Sequence, residues 1–574
     1  MKYLFDAALS QDIFNLTGFS PKAYPGQKGE FSFLKDHIED IVYYSAKTEG
    51  NLLEKDKAHD IILYDVFDEG IQNLQYALDI FNNTRLYEYA MDVLEGGLTV
   101  EKLESFHSIL FSNVPNTVDG FRQVERIVVR FVSLAPSDIP EAMSEIVDLF
   151  NKAPSGELEA FENAARIFSS YEFIHPFLDG NGRSGRLLTN IYLIKNLLPP
   201  ISFSFDEKKK AEAMINLSDA LGDASPVLAL IVYKQMADFN IEKITKGKGR
   251  ASAKLLFAIL AGDGNAVETI LKNGSFDDDL SKSLALYAAE KYKIGTFDDL
   301  AKESIKGENE RLRALAYAYL GFRGDFALLK NAMNYESSFV KSQIIPIMIR
   351  NNMLNRLGSD ELENLLKNSD KFVRMQAVHF SDALDLSQYP KLKEVLSGLA
   401  ENGDYFEKAH ALRTLMKASG SPLLQRLANE NLLLAIVKEK PKLFSTLCSF
   451  STSSAVDAGE ELVKHAAATN DRDLVKVIIY GLVSMKEGAE KYSRYLKQFI
   501  NDEDEFIAAY SRYLCKDNSE VGASGLSKLA RDLGKKKLRI EWVIEKSSIR
   551  ITKVKAARKM HDGSLMRLIN SKCA

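Results

Sequence analysis

HPFLDGNGRSGR, residues 175–186, is a turn between two helical patterns. AARIFSSYEFIHPF runs into it and RSGRLLTNIYLIKNLL runs out of it, each with apolar residues at helical spacing. Gly180, Asn181 and Gly182 can take backbone angles closed to most residues. Such a turn points successive N–H groups inward and forms an anion nest. The nest opens a helix, where the dipole also favours negative charge. Arg183 and Arg186 are three residues apart on one helix face, and guanidinium forks suit phosphate oxygens. The right half of the stretch is therefore a polyphosphate cradle. On the left, Asp179 is a hard oxygen ligand of the kind that holds Mg²⁺ beside phosphates. A neutral His175 can take a proton from an incoming hydroxyl. Phe177 reads as a core anchor for the loop. Together these residues point to transfer of a phosphorus-centred group from a nucleotide-like donor to a hydroxyl. The barrier would fall mainly by positioning and charge neutralisation.

The stretch matches every fixed position of His-x-Phe-x-Asp/Glu-Gly-Asn-Gly-Arg-x-x-Arg, and in this it resembles the Fic-domain family. The resemblance implies an all-helical catalytic domain and protein adenylyltransferase activity, in which AMP moves from ATP to a Ser, Thr or Tyr hydroxyl of a target protein or of the enzyme itself. It implies His175 as base, Asp179 as Mg²⁺ ligand, and Gly180, Asn181 and Gly182 as the anion hole. It implies Arg183 and Arg186 as the grip on the β- and γ-phosphates. Upstream, FHSILFSNV and GFRQVERIVVRFVSLAP look like the segment before the family's active loop. There a β-hairpin flap, expected near residues 125–132, would align the target by strand addition. The β-branched run 126–136 independently suggests a strand or small hairpin.

SAKTEGN, residues 45–51, follows the amphipathic pattern DHIEDIVYY. Ser45 and Glu49 are i and i+4, on one helix face, and Gly50 is a natural helix stop. Fic proteins often carry an inhibitory helix with the pattern Ser/Thr-x-x-x-Glu-Gly/Asn, and its N-terminal place here resembles the class with an intramolecular brake, set at about 34–50. A glutamate beside Arg186 would take the place of the γ-phosphate through a charge-assisted pair. The same glutamate positions a water for removing AMP in some relatives, so de-AMPylation stays open. Where relatives line the adenosine pocket with aromatics, EKKKAEAMINLSDALGDASP (207–226) has none. Met214 or Ile215 can cover a base instead, and UMP or phosphocholine transfer also stays open.

The remaining sequence divides by texture. Residues 1–100 are an N-terminal helical region, 101–243 the catalytic core, and 244–253, with two glycines, a linker. ENERLRALAYAYL, ESSFVKSQIIPIM, SDKFVRMQAVHFS and GDYFEKAHALRTL repeat one pattern, with anchors Leu312, Val340, Val373 and Phe406 spaced 28, 33 and 33 residues apart. They look like an α-solenoid of HEAT-like pairs over 254–530, each unable to bury its apolar face alone. The expected fold is mainly α: an all-helical domain with a small β-hairpin flap, then the solenoid. The solenoid would select the target protein; the rival reading is a scaffold with a silent catalytic domain. His410, His465 and His561 stand singly and read as satisfied or surface residues rather than ligands.

The 574 residues carry 74 Lys/Arg against 79 Asp/Glu, a net of -5 that argues against a whole-surface nucleic-acid binder. From residue 535 onward 12 Lys/Arg face 3 Asp/Glu, so 531–574 is a basic tail. Three widely spaced cysteines make no disulfide framework, suiting a reducing compartment. No long uncharged apolar run exists, so no membrane partner is expected. A cytoplasmic protein is the expectation, with delivery as an effector and a homo-oligomeric state left open.

Overall fold

Apolar residues at helical spacing make this a chain of helices. The computed structural model describes residues 3–18, 30–64, 74–111, 120–128, 131–196, 198–236, 239–417 and parts of 463–515. The N-terminal region holds α1 (Ala7–Thr17), α2 (Glu30–Thr48), α3 (Lys55–Tyr64), α4 (Leu74–Gly96) and α5 (Val100–Leu110). A two-stranded antiparallel hairpin follows, β1 (Ile127–Val128) and β2 (Phe131–Val132), pairing Ile127 with Val132 and Val128 with Phe131. This is the hairpin expected at 125–132. Then come α6 (Ile139–Asn151), α7 (Glu157–Ile174), α8 (Asn181–Lys195), α9 (Lys208–Leu221) and α10 (Ser225–Gln235).

The helix α7 lies against α8 and α10, and α8 also meets α2 and α4. The helix pair α7–α8 is the spine of this region, because ten residues of α7 and twelve of α8 are buried. No break in packing marks the stretch 244–253. It contains the end of α11 (Ile241–Lys246), a turn and the start of α12 (Ala251–Ala261). A Cβ on Gly247 or Gly249 would meet Leu16 of α1 at 2.9 and 2.8 Å. Arg250 pairs with Asp6 and Asp12. One apolar cluster runs from Tyr3 to Leu320, across both regions.

After α12 come α13 (Gly264–Asn273), α14 (Asp279–Lys291), α15 (Asp298–Ser304), α16 (Glu310–Phe322), α17 (Phe326–Tyr335), α18 (Ser338–Arg350), α19 (Ser359–Leu366), α20 (Lys371–Phe380), α21 (Pro390–Asn402) and α22 (Tyr405–Lys417). The helices α14, α16, α18, α20 and α22 pack each on the next in one row, while α19 and α21 pack together beside them. The four anchors Leu312, Val340, Val373 and Phe406 are all buried, one in each of α16, α18, α20 and α22. Asn309, Ser337 and Asp370 cap three of these helices through their side chains. Neighbouring units are also tied by charge: Arg313 bonds to Glu336 and Arg374 to Glu407, both acids nearly buried. His410 is buried against Phe406 and His379. His465, His561 and the basic tail 531–574 lie outside the described residues. Among the described residues no helix is long and apolar enough to cross a membrane.

Candidate active site

The loop 175–186 closes α7 and opens α8. His175 caps α7 with φ 50°, a left-handed conformation that only surrounding structure can hold in a non-glycine residue. That support is Arg122. Its side chain is fully buried. Its Nε donates to the His175 carbonyl at 2.7 Å, and Nη2 donates to the Ile174 carbonyl at 3.0 Å. Further donations reach the Val124 and Leu134 carbonyls and the Ser133 hydroxyl, so one guanidinium joins the hairpin's base to the 175–186 loop. The Arg122 backbone N–H also donates to Pro176. Sequence reasoning missed Arg122; its carbonyl partners have no motif.

His175 is half-buried, and its ring meets the backbone of Glu172. Burial pushes its pKa down to about 4, helped by the cations Arg126 and Arg122. The imidazole is therefore neutral near pH 7, as a base requires. Phe177 is fully buried and stacks on His107 at 4.6 Å, as the anchor reading expected.

Gly180 sits at φ 80° as the residue before α8, and a Cβ there would meet Phe111 at 2.7 Å. Asn181 works through its side chain: Oδ1 accepts from the Phe177 N–H at 2.9 Å and Nδ2 donates to the Phe177 carbonyl at 2.8 Å. This clamp shapes the loop and leaves the first backbone N–H groups of α8 without intrahelical partners, as at any helix start. Asp179 accepts from the Gly180 N–H at 2.7 Å.

The two arginines face different carboxylates. Arg186 donates to Glu49 Oε1 at 2.8 Å, to the Ser45 carbonyl at 3.0 Å and to the Ser45 hydroxyl at 3.4 Å. Ser45 thus contributes chiefly through its backbone. A Cβ on Gly182 would meet Glu49 Oε1 at 2.5 Å, so the Glu49 carboxylate rests on the opening turn of α8. Burial raises the Glu49 pKa, but Arg186 and Arg183 outweigh it, and the carboxyl stays below its ordinary value. Glu49 itself lies just past the end of α2, in a turn closed by Gly50 at φ 95°.

Arg183 pairs with Asp79 on α4 and lies over the Phe111 ring at 5.1 Å. Asn51, two residues past Glu49, donates to Asp79 Oδ2 at 3.1 Å and to the Tyr76 carbonyl at 2.8 Å. Asp79 was not foreseen; it stands 104 residues before its partner in a helix of ordinary composition. Glu172, one turn before His175, is a further acid of the site. A Cβ on Gly185 would meet its Oε1 at 3.0 Å. Burial pushes its pKa up to about 7, against the pull of Arg186. Of the two residues read as base-covering, Met214 is fully buried in the core and Ile215 half-buried.

A phosphate seat at a helix start, two arginines and a neutral histidine converge on one loop, and the wider segment has known counterparts. Residues 97–193 match the Fic/DOC family. The matched residues include this loop, and Ser45, Glu49 and Asp79 lie before them. It is similar to the protein adenylyltransferase fic-1 of Caenorhabditis elegans, 27% identical over 138 residues, which is 24% of this chain and 27% of that protein. It is similar also to the protein adenylyltransferase Fic of Drosophila willistoni, 27% identical over 198 residues, 33% of this chain and 38% of that protein. The matches thus span well under half the length of these relatives. Among solved structures, a Fic domain containing signaling protein from Bacteroides thetaiotaomicron is 20% identical, covering 44% of this chain and 97% of that one, with a TM-score of 0.34.

Proposed function

We propose that this chain is a protein adenylyltransferase held off by its own Glu49. The observation that carries the reading is the Glu49 carboxylate on Arg186 and over Gly182, an anion seated where a phosphate would sit, with a neutral His175 at the other end of the same loop. The names of the similar proteins support AMP as the transferred group.

In this reading ATP is the donor substrate. Its terminal phosphates lie on the first N–H groups of α8 and on Arg186, with Arg183 beside them. Its α-phosphorus is attacked by a Ser, Thr or Tyr oxygen of the target. The new bond joins that oxygen to the α-phosphorus, and the bond to the bridging oxygen breaks, releasing pyrophosphate. The hydroxyl proton passes to His175, which is neutral and so able to accept it. Asp179, which accepts from the Gly180 N–H at the start of α8, would supply the one carboxylate that Mg²⁺ commonly needs beside substrate phosphates. When bound, Mg²⁺ supplies charge neutralisation on those phosphates. With Glu49 in place the terminal phosphate cannot take its seat, so the α-phosphorus is not presented to the acceptor. The repeat region would select the target protein.

The test incubates wild type, Glu49→Gly and His175→Ala/Glu49→Gly with Mg²⁺ and ATP labelled on the α-phosphate, and reads protein-bound label. Label is expected in Glu49→Gly alone. Equal label in wild type and Glu49→Gly would remove the brake. No label in any of them, but label from UTP or CDP-choline, would replace AMP by another group. Silence with every donor would leave the scaffold reading.

A further inference from the structure

The hairpin does not stand free. Phe131 on β2 is only 5% exposed. It is buried with Ala220 of α9 and Leu315 of α16, and Phe339 of α18 packs against the same cluster. Arg311 of α16 lies over the Phe339 ring at 5.4 Å and bonds to the carbonyls of Asp219 and Ala220 at the end of α9. At the hairpin's base, Lys371 of α20 donates to Glu125 at 2.7 Å. Three successive repeat helices thus contact the hairpin or the end of the helix beside it. The contacts are of three independent kinds: apolar burial, a guanidinium on backbone carbonyls, and an ion pair.

A two-stranded hairpin is marginal alone in water and needs a further element to pack on. Here β1 and β2 have two residues each. Arg122 holds the hairpin's base on the catalytic loop, and the repeats cover the face that carries Phe131. We infer that α16, α18 and α20 hold the hairpin in position, so that the repeat region sets the alignment of the acceptor as well as meeting a target. The hairpin's positioning by the repeats stands on these contacts; its effect on transfer rests on the adenylyltransferase reading. A chain cut after Lys248 would bare Phe131 and Ala220, and should lose hairpin order with the repeats.

The experiment uses the full chain. Amide exchange over residues 124–134 is measured in Leu315→Glu, which places a charge in the Phe131 socket. Exchange there should rise at least tenfold while α7 and α8 keep their protection. If α16 also loses protection, Phe339→Ala, which removes one wall of the socket, replaces it. The second pair is Lys371→Glu and the swap Glu125→Lys/Lys371→Glu. In a Glu49→Gly background Lys371→Glu should raise the KM for acceptor two- to fivefold, with ATP affinity unchanged, and the swap should restore it. Unchanged exchange in Leu315→Glu and Phe339→Ala overturns the inference, as does a swap no better than the single reversal. If exchange responds as expected but no variant transfers any donor group, the adenylyltransferase reading falls and the hairpin's positioning by the repeats stands.

Discussion

Acid should reveal how His175 is set. Its pKa lies at about 4 because burial disfavours the charged ring and Arg126 and Arg122 repel it. At about pH 5.5 such a group is about 97% neutral, whereas a histidine at about 6.5 would be only about 9% neutral. Transfer in a Glu49→Gly background should therefore change less than about twofold between about pH 8 and 5.5, where an ordinary histidine base would lose about tenfold. Glu172 also titrates in this window. Its folded pKa of about 7 is above the ordinary 4.5. The folded state then binds more protons than the unfolded one between those values and loses stability as pH rises through them. Glu172→Gln removes that change, so the single-turnover rate of labelled AMP transfer is measured against pH in Glu49→Gly/Glu172→Gln. A limb with an apparent pKa near 6.5 in that variant would refute the account of His175 as a desolvated base.

Glu49→Gln keeps the shape of the proposed brake and removes its charge. Arg186 is 15% exposed and Glu49, at 36%, is open to solvent; discounted for that exposure the pair is worth about 1–2 kcal/mol, so ATP should bind about 5- to 30-fold tighter by calorimetry. Unchanged affinity would sink the competition. Because the Glu49 pKa is lowered, the contact is present above the ordinary carboxylate value and is lost only as pH falls through the folded one. Gly180→Ala places a side chain at φ 80° and against Phe111, costing about 1–2 kcal/mol from backbone alone; an unaltered thermal midpoint would contradict the geometry. Asp79→Ala leaves Arg183 nearly buried without its acid, a loss of about 3 kcal/mol. It should lower the midpoint without raising transfer as Glu49→Gly does, and activation to the same level would show Asp79 to be a second brake.

What could be read from residues alone was local. HPFLDGNGRSGR was legible as a turn opening a helix because a turn, a helix start and two arginines three apart need no distant partner to take shape. The burial of Leu312, Val340, Val373 and Phe406 was likewise legible, since helical period and repeat spacing are properties of adjacent residues. The pattern Ser45-x-x-x-Glu49 was too common to stand alone and drew its meaning from the motif.

Tertiary structure decided the rest, for one physical reason: burial and charge are set by what packs from elsewhere in the chain. Arg122 was an ordinary arginine until folding enclosed it among the carbonyls of Ile174 and His175. Asp79 and Glu172 took on their charge roles only when α4 and α7 closed on α8. The seat of Glu49 on Arg186 joins residues 137 apart, and the pairing of Lys371 with Glu125 joins residues 246 apart. The loop is twelve consecutive residues, and the carboxylates that face its two arginines come from segments far from it in the chain.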